Sequence, residues 1–251
     1  MLSINESMGN ITTAILPEKV PWLVKILSNS GSHIFSGTLI TWEKVLTTCT
    51  AVKSSQSKYV EAGFRGTNFQ KRNILNKTAD ERCSLNKNPD TIERYNIGII
   101  IVDKPFTANI TPNVVQFPTL NKRKYLGLTN QLMAKKLTCY FPRWTHNGTL
   151  ESVKITAIDT YRMQECRKYQ GVHEFVCSII LCDYFVIHET MNGAPVICGE
   201  EIYGIMTVAL KSSILLVKDV CVYIWLRLDE FVHLITEDDP ELEDYVIHNE
   251  Y

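Results

Sequence analysis

The sequence predicts an all-β fold, and three observations carry that prediction. Apolar and β-branched residues come in short runs of four to seven, strand-sized and rich in Val, Ile and Thr. Turn-forming clusters of Ser, Asn and Gly separate them, as at 28–32 (SNSGS) and Asn147-Gly148. The chain has 251 residues, which suits one large all-β domain or two small ones. Short strands at this spacing point to a sandwich or barrel, not to alternating strand–helix units.

Taken in order, residues 22–27 (WLVKIL) form the first run and stop at the SNSGS turn. Residues 37–40 (GTLI), 44–47 (KVLT) and 59–62 (YVEA) follow as three short strands. Residues 97–102 (IGIIIV) are among the longest apolar stretches, and 153–158 (VKITAI), 195–198 (PVIC) and 202–208 (IYGIMTV) complete the set. One segment breaks the habit. Residues 229–235 (DEFVHLI) start with two acids and space Phe231, Val232, Leu234 and Ile235 as a short amphipathic helix does. Beyond it, 237–251 carries seven acids and reads as a solvated tail. Low-complexity linkers and internal repeats are not evident.

Composition narrows the function. Apolar residues make up 45% and charged residues 21%, an ordinary globular balance that excludes disorder, coiled coil and collagen. The formal net charge of −1 lacks the basic surplus of a general nucleic-acid binder. No apolar run approaches the roughly 18 residues of a membrane-spanning helix.

Eight cysteines (Cys49, Cys83, Cys139, Cys166, Cys177, Cys182, Cys198, Cys221) form an even set without the paired spacing of a zinc site. Five Asn-x-Ser/Thr sequons accompany them, at Asn5, Asn10, Asn76, Asn109 and Asn147. Together they point to an oxidising, secretory environment, with glycans at these sequons. Residues 1–10 lack the basic start and apolar core of a signal peptide, so the leader is expected to have been removed.

The order of local patterns is more specific. Pro21-Trp22 opens a strand, and His33-Ile34-Phe35-Ser36-Gly37-Thr38-Leu39-Ile40 follows. Then come Trp42, Val45-Leu46-Thr47-Thr48-Cys49-Thr50-Ala51-Val52 and Tyr59-Val60-Glu61-Ala62-Gly63. Next are Tyr95-Asn96-Ile97-Gly98-Ile99-Ile100-Ile101-Val102 with Pro105 after it, and Cys139-Tyr140-Phe141-Pro142-Arg143-Trp144. Thr190-Met191-Asn192-Gly193-Ala194-Pro195-Val196-Ile197-Cys198 and Tyr203-Gly204-Ile205 close the series. This order resembles the trypsin-like, chymotrypsin-fold serine proteases, with their PW…HFCGGSLI…WVLTAAHCV, NDIALLKL, C-x-x-x-G-W and GDSGGPLVC. The resemblance implies two six-stranded antiparallel β-barrels with a short C-terminal helix. It places the protease-like domain at 15–235, after an N-terminal segment 1–14 and before an acidic tail 236–251. It also puts the sequons Asn76, Asn109 and Asn147 on loops, and Asn5 and Asn10 before the first strand.

At the positions that would do chemistry the resemblance fails. In that family a serine attacks a carbonyl, a histidine takes its proton and an aspartate orients the imidazole. The positions matching that triad hold Asn192, Thr50 and Asn96. None of the six histidines falls where it would replace the base. Met191 stands where the family has the aspartate that receives a newly cut N-terminus, and 1–18 contains no Lys or Arg for a trypsin-type cut. The specificity-pocket positions hold Val186, Val208 and Ala209, which offer nothing to a Lys or Arg side chain. Met191 and Val186 read as core residues.

The resemblance also implies the disulfides Cys139–Cys198 and Cys166–Cys177. Cys182 and Cys221 stand in for the family bridge near the pocket, although neither sits at its spacing, which leaves Cys49 and Cys83 for each other; the pairing of these four stays open here. The expectation is a secreted, catalytically inactive serine protease homologue, without metal or cofactor, that binds an extracellular protein. A hydrolase with a relocated nucleophile, with Cys49 the candidate thiolate, is the alternative.

Overall fold

The computed structural model describes residues 12–15, 20–63, 70–83, 95–107, 139–145, 149–157, 166, 175–181, 189–198, 201–211, 220–228 and 231. After a short strand β1 (Thr12–Ala14) come β2 (Leu23–Leu27), β3 (His33–Leu39), β4 (Lys44–Thr47), helix α1 (Cys49–Lys53), β5 (Tyr59–Ala62), β6 (Gln70–Ala79) and β7 (Gly98–Val102). Strands β2 to β7 pair antiparallel in the order β2-β3-β4-β7-β6-β5, and β5 returns to β2, closing a six-stranded barrel. The SNSGS turn joins β2 to β3: Ser28 N donates to Ser32 O at 2.8 Å, and Gly31 takes φ +81°, a conformation glycine adopts without penalty.

The uninterrupted apolar runs have a structural reason. Alternate residues of β4 and β7 feed different cores. Val45 and Ile100 point into the barrel with Val24, Ile26 and Val60, while Leu46 and Ile99 face outward into a second core with Phe141, Val153 and Ile155. A strand buried on both faces has no polar side to show in its sequence. The barrel and the second unit thus share β4 and β7 as a wall.

That second unit is built from β8 (Cys139–Trp144), β9 (Leu150–Ala157), β10 (Phe175–Leu181), β11 (Pro195–Cys198), β12 (Glu201–Lys211) and β13 (Val220–Arg227). Its seven-stranded order is β1-β9-β10-β13-β12-β11-β8, and β8 also pairs β9 from Cys139↔Ile155 to Trp144↔Leu150. The other edge of β9 is shared, by β1 at residues 151–153 and β10 at 156–157. The fold is mostly β, with a closed barrel and a short helix, as expected for the chymotrypsin class.

Several local expectations are corrected. Residues 12–14, in the segment expected to precede the domain, form β1, where Thr-Thr-Ala pairs Ser152 and its neighbours. Asn76 sits on a strand and not in a loop. Strand β6 is polar along nearly its whole length, and its register slips between Ile74 and Asn76, leaving Asn76 exposed. The C-terminal helix and the acidic tail lie outside the described residues apart from Phe231, which is buried and whose N–H donates to Leu228 O at 2.9 Å.

Three disulfides bridge the described cysteines: Cys49–Cys83, Cys139–Cys198 and Cys166–Cys177. Cys139 and Cys198 are also direct ladder partners, with Cα atoms 4.2 Å apart. Cys182 and the side chain of Cys221 lie outside the described residues.

Candidate functional site

The site is built where the barrel meets the second unit. After β4, Thr48 caps α1 by accepting from Ala51 N at 3.3 Å, and Ser54 N closes the other end on Thr50 O. This single turn is pinned by burial of Cys49, Ala51 and Val52, and it leaves Thr50 half-exposed. Asn96, fully buried, approaches from the chain entering β7, and its Oδ1 accepts from Thr50 N at 3.0 Å and from Thr50 Oγ1 at 3.1 Å. A sharp turn delivers it: Tyr95 takes φ +57°, and Ile97 N donates to Tyr95 O at 2.7 Å.

Aromatic and ionic contacts hold that turn. The Arg82 guanidinium lies 4.2 Å over the Tyr95 ring, and Phe231 meets the same ring edge-on at 6.3 Å. Arg82 pairs with the buried Asp80 at 2.7 Å. The hydrogen bond it donates to Asp80 raises the Arg82 guanidinium above its usual range, so the cation persists at every ordinary pH.

Asn192 is placed by a different device. It follows a 3-10 turn at Glu189–Met191, and its carbonyl accepts from Ser36 N at 2.9 Å. Ser36 Oγ donates to Thr190 O at 2.6 Å, and Ser36 O accepts from Thr47 Oγ1 at 2.7 Å. Gly193 takes φ +87°, with its α-carbon against Ser36 O and Thr47 Oγ1, and donates to Met206 O at 2.8 Å. Thr47 and residues 190–193 therefore meet at Ser36 of β3. Met191 is buried in the second core beside Val196 and Phe141.

Of the residues singled out in the sequence, Thr50 and Asn96 are bonded to each other and Asn192 is fixed on the facing segment. Val186 lies outside the described residues, as do Asn5, Asn10, Asn109 and Asn147. Val208 and Ala209 are placed by backbone, paired with Ile224 and Tyr223. Sequence reasoning missed Ser36, which ties the 190–192 segment to the barrel, and the Arg82–Tyr95 stack. No sequence signal marks either, since their partners are remote in the chain.

The chemistry open to this arrangement is limited. The Thr50 hydroxyl donates to a neutral amide oxygen, which does not accept a proton near neutral pH. Ser36 has His33 Nε2 at 3.5 Å, but the serine is 2% exposed and its own proton goes to Thr190 O, so no substrate carbonyl reaches it. Cys49 is buried and bridged to Cys83, so it presents no thiolate. Among the described residues no three His, Cys, Asp or Glu side chains group around a metal-sized space.

A family model described as Trypsin matches residues 12–225. Trypsin theta of Drosophila melanogaster is 22% identical over 190 residues, covering 74% of this chain and 71% of that protein. The fold is shared with neuropsin, a serine protease expressed in the limbic system of mouse brain, at a TM-score of 0.63 and 16% identity, over 90% of this chain and 97% of that one. Given that match along most of its length, the chain belongs to the trypsin family.

Proposed function

We propose that this family member is a catalytically silent binding protein of an extracellular fluid, in which Thr50, Asn96 and Asn192 occupy the positions of the triad histidine, aspartate and serine. One observation carries the reading: the Thr50 hydroxyl donates to the Asn96 amide, in the place where an imidazole would be oriented by a carboxylate. The frame of the site is kept while its nucleophile and base are replaced. In a serine protease with this triad, loss of the serine or histidine alone costs on the order of a million-fold in rate. Three replacements leave no acyl-transfer route.

Bridged cysteines and sequons support secretion, with glycans on Asn76 and the other four sequons and a protease-like body over 15–235. Binding then falls to the rim of the former cleft, around Thr50, Asn96 and Val208, where loops are held by rigid strands. The partner is a protein of the same fluid, and the role that of a cofactor or decoy for active proteases.

Turnover of a peptide ester and labelling by a fluorophosphonate test the proposal together on the secreted full chain. The expected result is no ester hydrolysis above buffer and no labelling. Stoichiometric labelling, or turnover abolished by Asn192→Ala, would show that a nucleophile operates in this cleft.

A further inference from the structure

The near-neutral net charge hides a strong segregation. All 26 Lys and Arg lie before residue 229, with 18 of the 27 acids; the other nine acids lie in 229–251. The chain is thus a body of +8 (26 − 18) joined to a segment of −9. On the body, positive charge gathers along α1, β5 and β6. Among the described residues, α1, β5 with the residue before it, and β6 present Lys53, Lys58, Lys71 and Lys77, with Arg72 turned toward Pro105 O, against Glu61 and the Asp103 carboxylate that Asn73 holds. Glu61 is already engaged with Lys25, 3.6 Å away.

The lysines are held and crowded. Lys77 Nζ donates to Ser54 O at 2.9 Å, and Lys53 Nζ donates to the carbonyl of Cys83, so both stems lie along the α1–β5 corner. Partial burial, and then the charge of Lys58, hold the Lys77 ammonium below its ordinary range. Lys71 Nζ sits 3.7 Å over the Tyr59 ring. From Lys71 to Lys77 the strand runs about 20 Å, at about 3.3 Å per residue.

We propose that the α1–β5–β6 face binds a linear sulfated polysaccharide. A line of ammonium groups along paired strands matches regularly spaced sulfates, and the gain comes from releasing the counter-ions of both. A protein partner fits less well, because Leu75 is the one large apolar side chain exposed among the described residues, and an isolated one makes no hot spot. The inference stands apart from whether the cleft turns over peptide.

Binding of the full chain to heparin, measured as a function of salt, tests it. The full chain is expected to be retained at about 50 mM salt, with log affinity falling steeply against log salt. In Lys53→Gln/Lys58→Gln/Lys77→Gln the slope should shrink by about one per lysine removed, and affinity should fall by roughly tenfold or more. Lys154→Gln, an exposed lysine on β9, should change neither. Lys58→Gln alone, on an exposed side chain, repeats the test with the Lys77–Ser54 and Lys53–Cys83 contacts kept. No retention of the full chain, retention indifferent to both lysine variants, or equal affinity for polyglutamate or duplex DNA would each overturn the proposal.

Discussion

Gly193 and Gly31 adopt nearly the same left-handed conformation, φ +87° and +81°, in very different surroundings. A Cβ on Gly31 meets nothing within 4 Å, whereas one on Gly193 runs into Ser36 O and Thr47 Oγ1. Those neighbours are fixed: Ser36 is 2% exposed, Thr47 0%, and the hydrogen bond between them is 2.7 Å. In Gly31→Ala only the conformational strain is incurred, about 1–2 kcal/mol. In Gly193→Ala an overpacking cost of about 1–3 kcal/mol is added. Loss of the Thr47–Ser36 bond adds about 1 kcal/mol more. The loss of unfolded-state entropy on replacing glycine is common to both and cancels in their difference. Gly193→Ala is therefore expected to be less stable than Gly31→Ala by about 2–4 kcal/mol, a large part of a typical domain's total. Urea unfolding of the two variants, with matched m-values, measures the difference. Equal midpoints would refute the claim that 190–193 is locked against β3 and β4.

Two further outcomes follow from the described geometry. Replacing both bridged residues, Cys49→Ala with Cys83→Ala, opens a loop spanning a separation of 34 residues. The loop-entropy model then gives a loss of up to about 4 kcal/mol, seen as a fall in urea midpoint; a change below about 1 kcal/mol would contradict it. The Asp103 carboxyl is held below its usual range, first by the hydrogen bond from the Asn73 side chain. A carboxyl lowered in the folded state adds stability above its unfolded pKa, and this is lost as pH falls through the folded value. Asp103→Asn should therefore flatten the stability profile only below about pH 4, and a changed slope between pH 6 and 8 would contradict the assignment.

How much of the fold was legible depended on which face of each strand is buried. The spans 44–47, 59–62 and 195–198 coincide with β4, β5 and β11, because each is apolar and bounded by turn residues. Strand β6 left no trace, since its side chains lie half-buried or exposed along its length and neither period nor composition marks them. Strand β8 was visible only as a family motif. Pro142 interrupts it, and the structure tolerates the proline because β11 pairs only with Tyr140 and Cys139, leaving Pro142 opposite Ser152 on the β9 side.

The site shows the complementary limit. Residue types at three positions were readable, but not what keeps them in place. Asn96 is buried with the Thr50 N–H and hydroxyl both directed at its Oδ1. The turn of α1 leaves that N–H without an intrahelical partner, and a part-buried donor left unsatisfied costs about 1–3 kcal/mol. An amide oxygen accepts it as well as a carboxylate does, and without the desolvation cost of a buried charge that has no imidazolium beside it. Asparagine therefore meets the structural demand at this position without a buried charge. A structural demand is likewise met at Gly193, whose conformation is required by packing against Ser36 and Thr47 whatever side chain precedes it. Each piece of this local architecture answers a folding constraint of its own.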